Sequence, residues 1–332
     1  MENYKIIQEI LDRGFKAYIV DETARDIYRK KKPDVYHVTT DASFQQLRDI
    51  FGNGDGVKTD DRLQLIHINQ NIIFPLQRRT YDYTGNIVLV EAVSSIEHYL
   101  SNQKFTIDAM AIDAETDYYI DPYGGQKDIR RSIVRFTPNA ATDLTYERFL
   151  MLKACRLLTL DNYFRFAQST FEQIRKSAFA LTLSKENVRD EILLAMSNPC
   201  SWKFFMGLVN TKLMDLIIPE VLETYNHTGG RKHNETVFEH MCDCCKYVEA
   251  DRPILKLAAF LHDIGKPLAY KLNSDGSFRR HEVTGAKIAG EILQRLEFPD
   301  EIICEVTILI RWHQYIETES FTEKDATTIL KN

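Results

Sequence analysis

The chain has 332 residues and a formal net charge of -6, with 44% hydrophobic and 27% charged residues. This composition is that of an ordinary folded protein and argues against a broadly basic nucleic-acid binder, while the length favours two or three domains. No apolar run approaches the roughly 20 residues that a membrane helix needs, and the N-terminus has no secretory core, so we expect a cytoplasmic protein without a membrane partner.

The first part of the chain predicts strands mixed with helices. An apolar stripe in residues 4–12 predicts an opening helix. Four apolar runs have the length of strands: residues 17–20, 35–39, 63–68 and 86–93. These elements predict a mixed α/β head over residues 1–126.

From about residue 128 onward the apolar residues recur at helical spacing. Four helices are predicted, at residues 147–160, 172–181, 188–196 and 204–209. A polar loop at residues 226–232 marks the last join. We therefore expect an α+β protein in which the head is followed by an all-helical neck and body over residues 127–225 and by an all-helical domain over residues 226–332.

The most informative run of the chain is Leu261-His262-Asp263-Ile264-Gly265-Lys266-Pro267. Pro253 can begin a helix that Gly265 ends, so His262 and Asp263 lie at a helix end. An imidazole and a carboxylate at one point make half of a metal site. The missing ligands are expected to be histidines on other helices: His240, His281 and His313.

The order of these residues resembles an HD-domain phosphohydrolase, an all-helical fold that binds divalent metal. The resemblance implies that His240, His262 and Asp263 hold one ion. It implies that His281 is a ligand of a second metal or a phosphate contact, and that His313 closes the site from another helix.

The same resemblance implies catalytic roles. Lys266 is placed to meet a phosphate charge, and Asp263 or Glu282 would transfer protons. The mixed nitrogen and oxygen ligands suit manganese, nickel, iron, cobalt or zinc, and magnesium less strictly. The family pattern ends in a further Asp, for which Asp325 is the late candidate.

Three of the six cysteines lie together in Cys242-Asp243-Cys244-Cys245. A zinc site of its own would need a second pair at metal spacing, which the sequence lacks. We interpret the cysteines as small buried helix residues in a reducing compartment, with no chemistry assigned.

Two segments of the head carry a second resemblance. Residues 105–111 (FTIDAMA) and 120–129 (IDPYGGQKDI) are similar to the motifs D-F-T-I-N-A-x-A and I-D-P-x-G-G-x-x-D-L of the class II tRNA nucleotidyltransferase and poly(A) polymerase superfamily, which includes the CCA-adding enzymes. In that family an HD domain commonly follows the transferase part. The resemblance implies a nucleotide or an RNA end as substrate, including the end of a tRNA.

The positions that would touch nucleotide depart from the family pattern. The family begins with two glycines that let the backbone approach a triphosphate, followed shortly by Arg-Asp. Here Asp21 and Glu22 replace the glycines, while Arg25 and Asp26 match. Two carboxylates at this point are expected to repel a triphosphate.

The paired Asp residues that hold magnesium in the family are also altered. Aligned without gaps, their positions fall on Val35 and His37, and a shift of one residue places them on Asp34 and Tyr36. Either register leaves the two-metal site incomplete. The remaining weak candidates for nucleotide or RNA binding are Arg25, Asp26, Glu91, Lys153 and Arg156.

Residues that would build the transferase fold match the family, whereas those that would touch nucleotide do not. The sequence therefore predicts a metal-dependent phosphohydrolase on an inactive CCA-adding-enzyme-like scaffold, with a phosphomonoester, a 2',3'-cyclic phosphate or a short phosphodiester of a nucleotide or RNA end as substrate. Two alternatives stay open: an active tRNA CCA-adding nucleotidyltransferase, and a non-catalytic RNA-binding or regulatory protein.

Overall fold

The structure is a computed structural model that describes residues 2–33, 35–52, 54, 56–82, 86–144, 147–180, 184–228 and 235–315. The candidates Asp34 and Asp325 lie outside the described residues. The chain divides into two compact units, which we call the head unit and the helical unit. The head unit is Met1–Leu150 with Arg165–Gln173, and the helical unit is Met151–Phe164 with Ile174–Asn332.

A mixed seven-stranded sheet forms the centre of the head unit. The strands of the chain are β1 (Ala17–Ile19), β2 (His37–Thr40), β3 (Val57–Asp60), β4 (Leu65–Ile68), β5 (Asn71–Pro75), β6 (Gln77–Tyr81), β7 (Ile87–Ala92), β8 (Ala111–Asp113), β9 (Tyr119–Ile120), β10 (Ile133–Val134) and β11 (Arg165–Phe166). The large sheet has the order β3-β4-β5-β2-β1-β8-β9, in which β2 and β5 pair in parallel and the other neighbours are antiparallel. Two further sheets of two strands pair β6 with β7 and β10 with β11.

Helices cover both faces of the large sheet. The head unit has the helices α1 (Glu2–Asp12), α2 (Asp21–Tyr28), α3 (Phe44–Phe51), α4 (Ile96–Ser101), α5 (Gly125–Arg130) and α6 (Pro138–Asp143). Because successive strand residues point to opposite faces, Ile73 joins the core formed with Ile10 of α1 and Leu47 of α3. Its neighbour Phe74 joins the opposite core, with Leu100 of α4.

The two head motifs found in the sequence pack against each other. Thr106 Oγ1 donates a hydrogen bond to Asp128 Oδ2 at 2.8 Å, which joins the first motif to α5. Asp121 accepts hydrogen bonds from the backbone N–H groups of Gly125 and Gln126, and so caps the start of α5. A Cβ on Gly125 would lie 2.2 Å from the Thr106 carbonyl oxygen, so only glycine fits there. These motif residues therefore build the head.

From Leu150 onward the described residues are mostly helical. The helices are α7 (Leu150–Leu157), α8 (Gln168–Ser177), α9 (Lys185–Met196), α10 (Trp202–Thr211), α11 (Met214–Ile217), α12 (Val237–Tyr247), α13 (Pro253–Leu261), α14 (Lys266–Leu272), α15 (His281–Arg295) and α16 (Asp300–Trp312). Short 3-10 turns occur at Leu158–Leu160, Ala178–Ala180, Pro219–Asn226 and His313–Tyr315.

The helices that carry the HD motif have clear start signals and a shared aromatic core. A capping box of Thr236 and Glu239 begins α12, and α13 begins at Pro253, whose missing N–H costs nothing in the first turn. The ring of Phe260 stacks on Phe205 of α10 with 3.4 Å between centroids. This packing holds the C-terminal end of α13, where the motif follows.

The expected fold class is confirmed, and the strands predicted at four runs are present with shifted ends. The sequence analysis missed β3, whose residues Val-Lys-Thr-Asp lie at the sheet edge, where charged side chains are normal and hide the apolar alternation. Among the described residues, none of the helices has both the length and the apolar character to cross a bilayer.

Candidate functional site

The ends and starts of four helices bring the predicted metal ligands of the helical unit to one point. His240 lies in α12, and His262 and Asp263 directly follow α13. His281 is the first residue of α15, and His313 follows the last residue of α16. We call these five residues the HD centre.

Asp263 is the middle of the HD centre and is only 1% exposed. Its Oδ2 lies 3.6 Å from His240 Nε2 and 3.2 Å from His262 Nε2. Its Oδ1 lies 3.0 Å from His281 Nε2 and 3.9 Å from His313 Nε2. All four imidazoles therefore face one carboxylate through the same ring nitrogen.

The other ring nitrogen of each histidine defines its tautomer. The Nδ1 atoms of His262, His281 and His313 lie 2.7–2.8 Å from backbone carbonyl oxygens, and His240 Nδ1 lies 3.2 Å from Glu235 Oε1. Because these oxygens only accept, each Nδ1 carries the proton and each Nε2 presents a lone pair to Asp263. Histidines oriented in this way by an outer partner are typical of metal ligands.

The converging lone pairs of the four Nε2 atoms and of the Asp263 oxygens fit a divalent cation. His281 Nε2 and His313 Nε2 lie 3.2 Å apart as two acceptors, and both Asp263 oxygens are buried without a hydrogen-bond partner. Burial would raise the pKa of Asp263, but the charge of Lys266, and hydrogen bonds from His262 and His281 when these rings carry a proton on Nε2, hold it well below the usual range. Burial also lowers the pKa values of His240 and His313, which favours the neutral form of both imidazoles. Neutral imidazoles around a charged carboxylate are a suitable donor set for a metal ion.

Two further predicted residues lie beside the centre. Lys266 Nζ is 2.6 Å from Asp263 Oδ2, so its charge is turned toward the carboxylate. Glu282 follows His281 in α15, with Oε1 3.5 Å from Arg311 and Oε2 buried without a hydrogen-bond partner. The structure thus brings both predicted catalytic residues next to the predicted ligands.

Cys244 is a residue of this region to which the sequence analysis assigned no chemistry. Its Sγ lies 3.5 Å from His240 Nε2, and it is partly exposed, whereas Cys242 and Cys245 on the same helix are buried. The signal that could have found it is the spacing of four residues from His240, which places both side chains on one helix face.

In the head unit, Arg25 and Asp26 form a buried ionic cluster. Arg25 is 5% exposed and donates to Asp108 Oδ1 at 2.6 Å and to Asp26 Oδ1 at 3.2 Å. Burial would lower the pKa of Arg25, but Asp108 and Asp26 raise it above its ordinary value. These are the contacts of a structural ion pair that ties α2 to the first head motif.

The carboxylates that replace the family glycines lie beside β2. Asp21 Oδ2 and Glu22 Oε2 are 3.6 Å and 3.7 Å from His37 Nδ1, a buried nitrogen without a hydrogen-bond partner. Tyr99 donates its hydroxyl hydrogen bond to Asp21. Burial would lower the pKa of His37, but Asp21 and Glu22 raise it. Two carboxylates therefore face one of the strand positions at which the family holds metal.

The remaining weak candidates are Glu91, Lys153 and Arg156. Glu91 on β7 pairs with Arg78 on β6, within the separate two-stranded sheet. Arg156 on α7 donates to Glu191 of α9 at 2.6 Å, and Lys153 lies one turn earlier on α7.

Three family models match consecutive parts of the chain. Residues 17–135 match the poly A polymerase head domain, and residues 163–224 match the probable RNA and SrmB- binding site of polymerase A. Residues 230–327 match the HD domain. The chain therefore carries a poly A polymerase head domain, an RNA-binding segment of that kind and an HD domain, as the sequence predicted.

Curated relatives of this chain are tRNA nucleotidyltransferases. The A-adding tRNA nucleotidyltransferase of Deinococcus radiodurans is 29% identical over 232 residues, which cover 66% of this chain and 52% of that protein. The CC-adding tRNA nucleotidyltransferase of Halalkalibacterium halodurans is 30% identical over 193 residues, or 58% of this chain and 47% of that protein. This chain spans about half the length of these relatives.

A solved structure shows the same fold. The CCA-adding enzyme of Bacillus stearothermophilus in complex with CTP superposes with a TM-score of 0.63 at 18% identity, covering 99% of this chain and 73% of that one.

These findings correct the predicted function. The prediction of a phosphohydrolase on an inactive transferase scaffold is wrong, because the curated relatives are tRNA nucleotidyltransferases and favour the alternative. The backbone N–H of Val20 bonds to the His37 carbonyl, so the start of α2 lies beside β2 and presents Asp21 and Glu22 there. Sequence spacing does not reveal that pairing.

Proposed function

We propose that this chain is a tRNA nucleotidyltransferase, which adds nucleotides to the 3' end of RNA. In this reaction the 3' oxygen of the RNA attacks the α-phosphorus of a nucleoside triphosphate, the bond to the β-phosphate breaks, and pyrophosphate leaves. The observations that support this proposal are the similarity to named tRNA nucleotidyltransferases over up to 66% of this chain, and the matches of consecutive segments to head, RNA-binding and HD-domain models.

The cluster of Asp21, Glu22 and His37 is the proposed metal-binding part of the head. Magnesium is usually held by one or two carboxylates together with substrate phosphates, so a complete cage of protein ligands is not required. When bound, the ion neutralises charge that develops on the transferred phosphoryl group. Tyr99, through its hydrogen bond to Asp21, orients the carboxylate.

The HD centre is proposed as a second divalent-metal site. Its proposed ligands are His240, His262, Asp263, His281 and His313, and the fit rests on their convergent lone pairs and on the buried oxygens of Asp263. Lys266 is proposed to exchange its contact with Asp263 for an incoming anion when metal takes that place. Which divalent ion binds depends on which of these residues are its ligands.

The proposed partners follow from the same similarity. A tRNA 3' end is the proposed acceptor, since the relatives are tRNA nucleotidyltransferases and residues 163–224 match an RNA-binding segment. CTP and ATP are both proposed donors, because the relatives include CC-adding and A-adding members.

The test is incorporation of labelled CTP or ATP, offered separately, into tRNA transcripts that end before, within or after the CCA sequence. We expect the chain to extend at least one transcript in magnesium or manganese. Asp21→Asn should lower the rate about 100-fold or more, because a carboxylate that holds catalytic metal contributes several kcal/mol.

The matched control is Asp61→Asn. Asp61 is also an acidic head residue, but it is 69% exposed in its side chain and pairs only with Arg48 on the surface. This variant should retain the wild-type rate. An absence of incorporation by the wild-type chain with every transcript, nucleotide and metal would overturn the proposal.

A further inference from the structure

Cys244 lies at the edge of the HD centre and has no place in the His and Asp pattern that predicted the other ligands. It follows His240 by four residues on α12, so both side chains point from one face of the helix. The donor atoms of His240, Cys244 and His262 all lie within 4.8 Å of one another. One sulfur and two nitrogens thus share a volume the size of a metal coordination sphere.

A buried carboxylate approaches two of these three residues. Asp263 is 1% exposed, and Lys266 Nζ lies 2.6 Å from its Oδ2. Its Oδ2 is the oxygen that lies 3.6 Å from His240 Nε2 and 3.2 Å from His262 Nε2. His281 and His313 instead approach Oδ1. The HD centre therefore has two sides, and Cys244 belongs to the Oδ2 side.

We propose that Cys244 is a metal ligand, and that with His240 and His262 it holds a borderline-soft divalent cation such as zinc. Two imidazoles and a thiolate are a donor set that zinc accepts. Binding forms a sulfur–metal bond and releases the thiol proton to solvent, with no change of oxidation state. The inference rests on the proposed metal site of the HD centre and is independent of nucleotidyl transfer by the head.

The thiolate changes which metal the centre prefers. Imidazole and carboxylate ligands alone accept manganese, iron, cobalt and zinc, whereas a thiolate favours zinc and cobalt over the harder manganese and magnesium. If Cys244 were only a hydrogen-bond partner of His240, its removal would act through the histidine. Loss of such an outer partner typically weakens metal binding by about 10- to 100-fold without altering the ligand set.

Cobalt(II) alone is the probe that separates these roles. The full-length chain is stripped with a chelator and titrated with cobalt, whose bond to a thiolate gives a charge-transfer absorption in the near ultraviolet. We expect this absorption in the wild type and in Cys304→Ser, since Cys304 is exposed on α16. We expect Cys244→Ser to bind cobalt without it and to lose zinc affinity by more than about 100-fold.

A second variant protects the test against misfolding. Cys244→Asp keeps a ligand at the same place but makes it hard, so the ratio of zinc affinity to manganese affinity should fall about tenfold or more. Far-ultraviolet circular dichroism reports whether each variant is folded.

The possible outcomes distinguish the role of Cys244 from the proposed metal site of the HD centre. Cobalt bound to the wild type without the thiolate absorption overturns the role of Cys244 and leaves the other ligands standing. No cobalt bound to the wild type at all overturns both. An unchanged zinc-to-manganese ratio in folded Cys244→Asp also overturns the role of Cys244.

Discussion

The head unit and the HD centre each bury an aspartate, and the surroundings of the two carboxylates differ. In the head, Asp108 accepts directly from the buried guanidinium of Arg25, so protein atoms satisfy both charges. In the HD centre, Lys266 lies 2.6 Å from Asp263, but four imidazole lone pairs surround the same carboxylate, and neither of its oxygens is in hydrogen-bond geometry. A buried carboxylate that only protein cations approach supports the fold, whereas one that faces four further acceptors besides its lysine favours a cation from outside.

The largest effect is expected from breaking the head pair. Asp108→Ala removes the closer and more buried of the two carboxylates that Arg25 binds, and leaves the buried guanidinium with Asp26, whose side chain is 26% exposed. We expect a loss of about 3–5 kcal/mol in the free energy of unfolding of the head unit. Urea denaturation measures this free energy of unfolding. Where the two units unfold in different transitions, each transition is analysed by itself.

The comparison is with an exposed ion pair of the same unit. Asp61→Asn removes the partner of Arg48 on the surface, and should cost less than about 1 kcal/mol. Replacing both members of the buried pair, with Arg25→Leu and Asp108→Ala together, should recover part of the loss because no charge remains buried. Equal losses of unfolding free energy in Asp108→Ala and Asp61→Asn would contradict the prediction that the buried pair matters more than the exposed one.

The sequence predicted the fold well because the motif residues of the head are structural. Thr106, Asp121, Gly125 and Asp128 hold α5 in place, and they match the family in kind and spacing. The matches therefore reported on folding. The residues that differ, such as Asp21, are brought near His37 by strand pairing. The spacing of residues along the sequence does not show that pairing.

The convergence of the HD-centre residues was predicted more completely, because these residues lie near helix ends. Apolar periodicity, prolines and glycines mark those ends in sequence, so the position of His262 and Asp263 could be predicted before the helices were seen. Cys244 was missed for the opposite reason. It lies inside a helix among other cysteines, and only its distance to His240 Nε2 distinguishes it from its buried neighbours.

A moderate effect is expected where the HD centre depends on close backbone packing. A Cβ on Gly265 would lie 2.3 Å from the His281 carbonyl oxygen and 2.4 Å from the Gly285 nitrogen, so the backbone of α15 must move. Gly265→Ala should cost about 1–3 kcal/mol in unfolding free energy. It should also weaken metal binding, because His281 at the start of α15 moves away from Asp263.

Gly290 offers the matched control within the same helix. A Cβ there meets only the Thr307 side chain, at 3.4 Å. Gly290→Ala should stabilise the protein by up to about 1 kcal/mol through helix propensity and leave metal binding unchanged. If Gly265→Ala binds cobalt as tightly as Gly290→Ala, the close packing does not position the centre.

The smallest effect is expected at Glu91. This prediction tests whether Glu91 belongs with the head cluster, which is the group of Asp21, Glu22 and His37. Directly opposed residues of an antiparallel pair share a face, so Glu91 lies with Arg78, while Arg79 points from the other face and packs over the Phe74 ring at 5.2 Å. The Arg78–Glu91 pair is more than 40% exposed on both sides, so Glu91→Gln should change the unfolding free energy by less than about 1 kcal/mol.

Incorporation of CTP or ATP by Glu91→Gln should stay within about twofold of the wild type. A loss of about tenfold or more without a change in stability would place Glu91 with Asp21 and Glu22 in the nucleotide site, and the head cluster would then have three carboxylates.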